Sequence, residues 1–200
     1  ENLENTDPKL IKEMRDYYFN QIESYKKNKN KKITIDKMPL NLVHVGEILR
    51  FFPNAKFILA LRHPYDCVLS CFMQNFMLNH AMANFLNLDD TLKLYDLTMS
   101  LWKKYTNVFK IDHHLIRYED VVSNFKKTIG DLLKFLNVKW SDNVIEFYKT
   151  AEKRGIINTP SYNQVSQPIY SNSMYRWKNY EKEFAKSNIS LENWVKEFNY

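Results

Sequence analysis

An arginine and a serine eight positions apart, Arg62 and Ser70, are the residues whose types and spacing most clearly suggest chemistry. The apolar stretch KFILAL before them predicts a buried strand, while Pro64 and Asp66 are typical of the first turn of a helix. A helix N-terminus with an arginine fork beside it suits a phosphate dianion, and a serine hydroxyl supplies one more donor. On spacing alone, an ion pair between Arg62 and Asp66, with Ser70 bonded back to its own helix, is an equally good interpretation.

The elements that would position these two side chains alternate between helices and strands. Periodicity predicts helices at 8–25, 40–52, 63–85, 89–109, 123–138 and 141–154, the last two capped by Ser123 and Ser141, strands at 32–36, 56–62 and 113–120, and a helix near the end. This order predicts right-handed crossovers and a parallel sheet, so the fold class is α/β. Such sheets bind ligands at the carboxyl ends of their strands, where we expect Asp36, Lys37, Arg62 and the stretch RYED.

The composition of the chain excludes few functions by itself. Its 200 residues are 44% hydrophobic and 15% aromatic, which predicts one sizeable core. The formal charge of +6 fits an anionic ligand, but it would also fit nucleic acid or a membrane surface. The apolar runs are too short for a membrane span and no secretory signal is present, so we expect a soluble protein.

Cysteine and histidine are not spaced as metal ligands. Cys67 and Cys71, the only cysteines, lie four residues apart on a predicted helix, without a CxxC motif or clustered histidines. We therefore expect no metal site, and we expect two small buried thiols in a reducing compartment.

Four motifs, in their order along the chain, carry a family resemblance. They are DKMPLN, FPNAKFILALRHPYDCVLSCFMQNF, RYEDVV and QPIYSNSMYRW. Together they resemble the PAPS-dependent sulfotransferases, especially the bacterial type often attached to tetratricopeptide repeats and, more distantly, the tyrosylprotein sulfotransferases. The resemblance implies a parallel sheet flanked by helices, as in the P-loop nucleotide hydrolases. It also implies transfer of a sulfuryl group from 3′-phosphoadenosine 5′-phosphosulfate (PAPS) to an acceptor hydroxyl or amine.

The resemblance assigns roles to four residues of the first three motifs. In the family, the arginine that ends the strand and the serine eight residues later bind the 3′-phosphate of PAPS, and here these are Arg62 and Ser70. Lys37 falls where the family has a lysine or histidine beside the sulfuryl group, and a cation there would offset charge on the bridging oxygen. Tyr118 matches the tyrosine that touches adenine, where a stacked ring contributes about 1 to 3 kcal/mol. Without the resemblance, Lys37 would be a solvated lysine and Tyr118 a core aromatic.

The late segment SNSMYRW resembles the family's loop that closes over the cofactor. There Arg176 would reach a phosphate, Ser173 would donate a hydrogen bond and Trp177 would pack. Two positions differ from the tyrosylprotein group. Gln74 stands where that group has an arginine, and Tyr175 stands where it has a serine.

The chain lacks the glycine-rich loop with which the family binds the 5′-phosphosulfate. Its three glycines, Gly46, Gly130 and Gly155, lie in no such setting. We therefore expect 1–200 to be the carboxyl-terminal part of a single sulfotransferase domain that lacks its first strand, phosphate loop and glutamate base and has an unpaired strand edge. Its expected parts are a helix and basic loop at 1–32, the α/β core at 33–155, and the closing loop with a terminal helix at 156–200.

Other functions remain open from the sequence. A nucleotide kinase has a related architecture but needs a GxxxxGK[ST] loop and a metal-holding aspartate. A noncatalytic interaction domain would be a degenerate relative that keeps the fold and binds partners. Nucleic-acid binding is not expected, because the lysines cluster at 26–32 and the aromatic residues follow core spacing. The sequence leaves the acceptor class open; we expect a cytoplasmic bacterial protein, and tetratricopeptide repeats upstream in its parent chain would fit the resemblance.

Overall fold

The computed structural model describes residues 5–25, 33–149 and 167–200. Its helices include α1 (Pro8–Tyr25), α2 (Val45–Phe51), α3 (Pro64–Phe72), α4 (Leu88–Val108), α5 (Tyr118–Ser123), α6 (Phe125–Phe135), α7 (Glu181–Phe184) and α8 (Glu192–Glu197). Its strands are β1 (Phe57–Leu61) and β2 (His113–Arg117), and short 3-10 helices cover Pro39–His44, Met82–Leu86, Asp142–Val144 and Arg176–Tyr180. Nowhere in the described ranges is a helix both long and apolar enough to cross a bilayer.

The described residues form two compact units, one within 1–57 and 100–112 and the other within 58–99 and 113–200. In the first unit, the ring of Tyr18 on α1 lies 5.0 Å from that of Phe52. Gly46 on α2 faces Tyr105, whose ring a Cβ at this position would approach to 3.1 Å. The glycine at position 46 therefore permits the close contact between α2 and the ring of Tyr105 on α4.

The second unit is built on a two-stranded parallel sheet of β1 and β2. Each strand leads directly into a helix, α3 after β1 and α5 after β2. Leu59 and Leu61 are buried whereas Ile58 is 37% exposed, so the strand predicted to be buried is buried on one face only. The core continues with buried side chains of α3, α4 and the C-terminal segment, which are Tyr65, Val68, Leu69, Leu92, Leu191 and Trp194.

The strand predicted at 32–36 is not formed. Residue 32 lies outside the described residues, and 33–38 has no regular secondary structure. Ile33 and Ile35 are 52% and 72% exposed, so β-branched residues alone do not make a strand here. The described part of the chain is thus rich in helix, with a smaller sheet than predicted.

The strand predicted at 113–120 is also too long. It ends at Arg117, and Tyr118 begins α5. The first turn of α5 contains Glu119 and Asp120, whose negative charges suit a helix N-terminus. The RYED stretch is therefore a strand end followed by a helix start.

The helix predicted at 63–85 is wrong in its second half, because α3 ends at Phe72. The side-chain oxygen of Asn79 accepts the backbone N–H groups of Ala81 and Met82 at 3.0 and 2.9 Å. Local bonds of this kind compete with a continuous helix. A separate 3-10 turn begins at Met82 instead.

Two predicted helix caps are wrong as well. Ser123 ends α5 and its hydroxyl donates to the Glu119 carbonyl at 2.7 Å, while α6 begins after Asn124. Ser141 precedes a short 3-10 turn and makes no capping bond with its side chain. Residues 26–32 of the predicted basic loop, 150–154 of the last predicted helix and 156–166 of the predicted closing loop lie outside the described residues.

Candidate functional site

The link between β1 and α3 consists of Arg62 and His63. Pro64 takes the first helical position, where a missing N–H leaves no bond unmade. The backbone N–H of His63 donates to Oε1 of Glu119 at 3.0 Å, and Glu119 is only 6% exposed. A buried carboxylate of α5 therefore fixes the backbone at the start of α3.

One face of α3 lines a small pocket in the second unit. The lining residues are Arg62, Asp66, Leu69, Ser70, Met73, Gln74 and Arg176, and the pocket measures about 190 Å³. Asp66, Leu69 and Ser70 belong to α3, Arg62 lies in the link before it, and Met73 and Gln74 follow its end. Pockets for drug-sized ligands begin at about 300 Å³. This volume therefore suits a phosphate group with part of a sugar.

The guanidinium of Arg62 is held by the protein around it. Its Nη2 donates to the carbonyl oxygen of Ser173 and lies 3.9 Å from Oδ1 of Asp66. Its central carbon lies 5.8 Å from the ring centroid of Tyr118, a cation–π contact. Its Nε is buried and has no hydrogen-bond partner among the described residues, so an N–H donor is left over.

The carboxylate of Asp66 is fully buried and binds the late segment of the chain. Its Oδ2 accepts the backbone N–H of Tyr175 at 2.5 Å, and its Oδ1 accepts that of Trp177 at 2.8 Å. Tyr175 has a φ of 54°, in the left-handed region that non-glycine residues rarely adopt. These bonds bring Arg176 to the same pocket as Arg62.

The charges of the pocket favour an anion. Arg62 and Arg176 contribute two guanidinium groups, whereas Asp66 contributes one carboxylate that already accepts two N–H groups. The exposed hydroxyl of Ser70 and the amide of Gln74 add neutral hydrogen-bonding groups. Guanidinium forks bind phosphate through paired hydrogen bonds. The structure thus brings together three residues of the sequence prediction, Arg62, Ser70 and Arg176.

Tyr118 and Ser173 lie beside Arg62 and are not among the residues that line the pocket. The hydroxyl of Tyr118 donates to the Tyr170 carbonyl at 2.5 Å. Burial, together with Tyr170, raises the pKa of the Tyr118 hydroxyl above its ordinary value. Both residues contact the pocket arginine directly.

Lys37 belongs to the first unit and is exposed in the irregular segment 33–38. Its neighbour Asp36 accepts the hydroxyl of Tyr18 at 2.8 Å and the side-chain amide of Asn41 at 3.2 Å. Burial and the bond to Asp36 raise the pKa of Tyr18 to about 12. The segment is therefore anchored immediately before Lys37.

His63 sits in an aromatic cluster that the sequence did not predict. It is 4% exposed. Four rings lie within 6.0 Å of its own, those of Tyr65, Tyr175, Trp177 and Tyr200. Burial lowers the pKa of His63, although the nearby carboxylates of Asp66 and Glu119 act in the opposite direction.

Cys67 and Cys71 are free thiols, one turn apart on α3. The hydrogen bond to Cys71, followed by burial, raises the pKa of Cys67 well above its usual range. The same bond lowers the pKa of Cys71.

From the sequence, Asp66 was expected in the first turn of a helix or paired with Arg62, and Glu119 at the end of a strand. In the structure, the carboxylate of Asp66 accepts backbone N–H groups that lie 109 and 111 residues later in the chain. The carboxylate of Glu119 accepts a backbone N–H group that lies 56 residues earlier. An acidic residue in the first turn of a predicted helix was the available signal for Asp66 alone. That signal indicates a favourable helix start but not a distant partner.

Residues 3–142 match a family model described as "Sulfotransferase family". An uncharacterized protein of Aquifex aeolicus (strain VF5) is 31% identical over 180 residues, which is 88% of this chain and 23% of that protein.

Two relatives with assigned names are more distant. Protein-tyrosine sulfotransferase 1 of Danio rerio is 27% identical over 153 residues, which is 71% of this chain and 41% of that protein. Protein-tyrosine sulfotransferase 2 of Gallus gallus is 25% identical over 154 residues, 71% of this chain and 39% of that protein. The chain therefore spans less than half the length of each of these relatives.

Proposed function

This chain belongs to the sulfotransferase family, and from that premise we propose that it holds the 3′-phosphoadenosine part of PAPS during sulfuryl transfer to an acceptor hydroxyl or amine. One observation carries the proposal. The guanidinium groups of Arg62 and Arg176 and the hydroxyl of Ser70 line one pocket of about 190 Å³. A ribose 3′-phosphate has the size and charge for such a pocket.

In the proposed reaction, the sulfur forms a bond to the acceptor oxygen or nitrogen while its bond to the 5′-phosphate oxygen breaks. The acceptor gives up a proton and adenosine 3′,5′-bisphosphate leaves. Arg62 and Arg176 act by binding the 3′-phosphate, which is distant from the breaking bond, and so they orient the donor.

Three further roles rest on the motifs of the family resemblance. Lys37, in the motif DKMP, would offset the negative charge that builds on the bridging oxygen. Tyr118 would border the adenine while its ring supports Arg62. Ser173 would complete the binding of the 3′-phosphate, in addition to accepting a bond from Arg62 through its carbonyl.

The 5′-phosphosulfate needs a phosphate-binding loop and the acceptor needs a base, and we assign neither to residues 1–200. The chain contains no glycine-rich loop, and it covers 23% to 41% of the lengths of its relatives. The proposal for the complete reaction therefore concerns the protein that contains this chain. Two relatives are named protein-tyrosine sulfotransferases, so a tyrosine hydroxyl is the first acceptor to test.

Calorimetry on the full-length protein tests the proposal. Adenosine 3′,5′-bisphosphate should bind at least about tenfold more tightly than adenosine 5′-monophosphate, because a charge-assisted phosphate contact contributes about 1.5 to 3 kcal/mol. Equal affinity for the two nucleotides would remove the 3′-phosphate assignment. Incubation with radiolabelled PAPS and tyrosine peptides then tests transfer, and bisphosphate binding without transfer to any acceptor would favour the noncatalytic interaction domain.

A further inference from the structure

The buried carboxylate of Asp66 accepts hydrogen bonds from the backbone on both sides of Arg176. Asp66 is completely buried, and its two oxygens accept the N–H groups of Tyr175 and Trp177, the residues that precede and follow Arg176. Burial of a carboxylate is unfavourable unless its oxygens are hydrogen-bonded. The two backbone N–H groups meet this need, so the buried carboxylate and the late segment depend on each other.

The conformation of the late segment makes this dependence stronger. Tyr175 is in the left-handed region with a φ of 54°, and the 3-10 turn Arg176–Tyr180 begins immediately after it. Arg176 itself is exposed. The contacts on the neighbouring backbone therefore fix the point from which the side chain of Arg176 extends to the pocket.

From this arrangement we infer that Asp66 is a positioning residue that directs Arg176 into the anion pocket. The inference rests on the proposed function only for the identity of the bound anion, the ribose 3′-phosphate. The side chain of Asp66 also lines the pocket, where its negative charge repels an anion. The two effects differ in sign: loss of a mere repulsive charge strengthens phosphate binding, whereas loss of a positioning residue weakens it.

The first experiment uses this difference in sign. Asp66→Asn in the full-length protein keeps the shape of the side chain but removes its charge, and leaves one acceptor for two N–H groups. We expect the affinity for adenosine 3′,5′-bisphosphate to fall at least about tenfold, with the affinity for adenosine 5′-monophosphate unchanged. Binding of the bisphosphate as tight as in the wild type, or tighter, would overturn the inference.

Asp90→Asn is the matched control. Asp90 is an exposed aspartate in the first turn of α4, in the same unit, so the same change is made at a similar helical position. We expect no change in the affinity for either nucleotide.

A second pair of variants leaves the buried aspartate intact, in case Asp66→Asn does not fold. Tyr175→Pro removes the N–H group that Asp66 accepts and excludes the left-handed φ. Tyr175→Gly keeps the N–H group and adopts that φ readily. We expect loss of bisphosphate affinity in Tyr175→Pro and its retention in Tyr175→Gly, whereas equal affinities in the two variants would contradict the inference.

A double-mutant cycle tests whether Asp66 acts through Arg176. In an Arg176→Ala background, Asp66→Asn should cause little further loss of bisphosphate affinity, because the residue to be positioned is already missing. An additive loss would show that Asp66 acts by another route and would contradict the inference.

Proteolysis separates this inference from the proposed function. In the ligand-free protein, trypsin should cleave after Arg176 and Lys178 faster in Asp66→Asn than in Asp90→Asn. If the wild type does not bind adenosine 3′,5′-bisphosphate, the proposed function fails, while faster cleavage still supports the role of Asp66. Equal cleavage rates would overturn that role whatever the nucleotide affinity.

Discussion

The guanidinium of Arg62 donates a hydrogen bond to the carbonyl oxygen of Ser173, 111 residues later in the chain. This bond joins the end of β1 to the late segment that also carries Arg176. It fixes a long side chain before any ligand binds, and a side chain already ordered in this way loses less conformational entropy on binding. The bond uses a backbone carbonyl, so the type of residue at position 173 does not determine it.

The first prediction concerns Arg62. Arg62→Ala should weaken the binding of adenosine 3′,5′-bisphosphate by about 1.5 to 3 kcal/mol, the contribution of a charged hydrogen bond. Arg62→Lys should recover only part of this loss, because an ammonium group lacks the planar fork that can serve both Ser173 and a phosphate. Calorimetry on the full-length variants measures both values. If Arg62→Ala binds the bisphosphate as the wild type does, the assignment of the pocket is wrong.

The second prediction concerns Lys37. Lys37→Ala should lower kcat for sulfuryl transfer by about 10²- to 10³-fold, the effect of removing one group that stabilises transition-state charge. The affinity for adenosine 3′,5′-bisphosphate should not change, since the proposed role is confined to the reacting end of the donor. Lys12→Ala, at an exposed position on α1 in the same unit, is the control. Wild-type turnover in Lys37→Ala would make Lys37 an ordinary solvated lysine.

The features that sequence analysis predicted correctly are local ones. Helices predicted at 8–25 and 89–109 are observed as Pro8–Tyr25 and Leu88–Val108, and the strand predicted at 56–62 is observed as Phe57–Leu61. Each depends on a run of periodic or continuous apolar residues with a clear start or stop. The start of α3 at Pro64 is local in the same sense.

What sequence analysis did not predict depends on contacts between distant residues. The bond from His63 to Glu119 spans 56 residues, and the bonds from Asp66 to Tyr175 and Trp177 span more than 100. The periodicity of apolar residues does not indicate which distant residues form such a contact. The helical start at Tyr118 was missed for a related reason, because Glu119 and Asp120 looked like the end of a strand until their partners were seen.

The third prediction concerns a guanidinium that has a structural role. Arg117 makes a two-point contact with Asp120 at 2.7 and 2.8 Å and donates to the carbonyls of Phe198 and Asn199. Arg117→Ala should lower the free energy of unfolding by about 1 to 3 kcal/mol, because these acceptors lose their donor. Urea denaturation measures the change.

A matched ion pair on the surface provides the control for Arg117. Lys127 and Asp131 lie one turn apart on α6 at 3.0 Å and are 73% and 54% exposed. Lys127→Ala should change the free energy of unfolding by less than about 0.5 kcal/mol, as is usual for exposed pairs. Equal effects of the two substitutions would contradict a specific role for Arg117.

The fourth prediction concerns the pH dependence of stability at His63. Burial lowers the pKa of His63 below its ordinary value of 6.5, and its Nδ1 has no partner among the described residues. Above pH 6.5 the imidazole is neutral in both the folded and the unfolded chain, so it does not make the free energy of unfolding depend on pH. Below 6.5 the unfolded chain takes up a proton that the buried ring resists, so stability falls as the pH falls, by at most about 1.4 kcal/mol per pH unit. The fall continues until the pH reaches the lower pKa of the folded ring.

His63→Phe isolates this contribution, because the phenyl ring keeps the stacking with Trp177 but does not titrate. The Tm of the wild type minus that of His63→Phe should be constant above about pH 6.5. At lower pH this difference should fall, because the wild type alone loses stability through the imidazole. The carboxylates of Asp66 and Glu119 are present in both proteins, so the comparison isolates the imidazole. A difference in Tm that stays constant down to about pH 5.5 would mean that the imidazole takes up its proton equally well in the folded and unfolded chains.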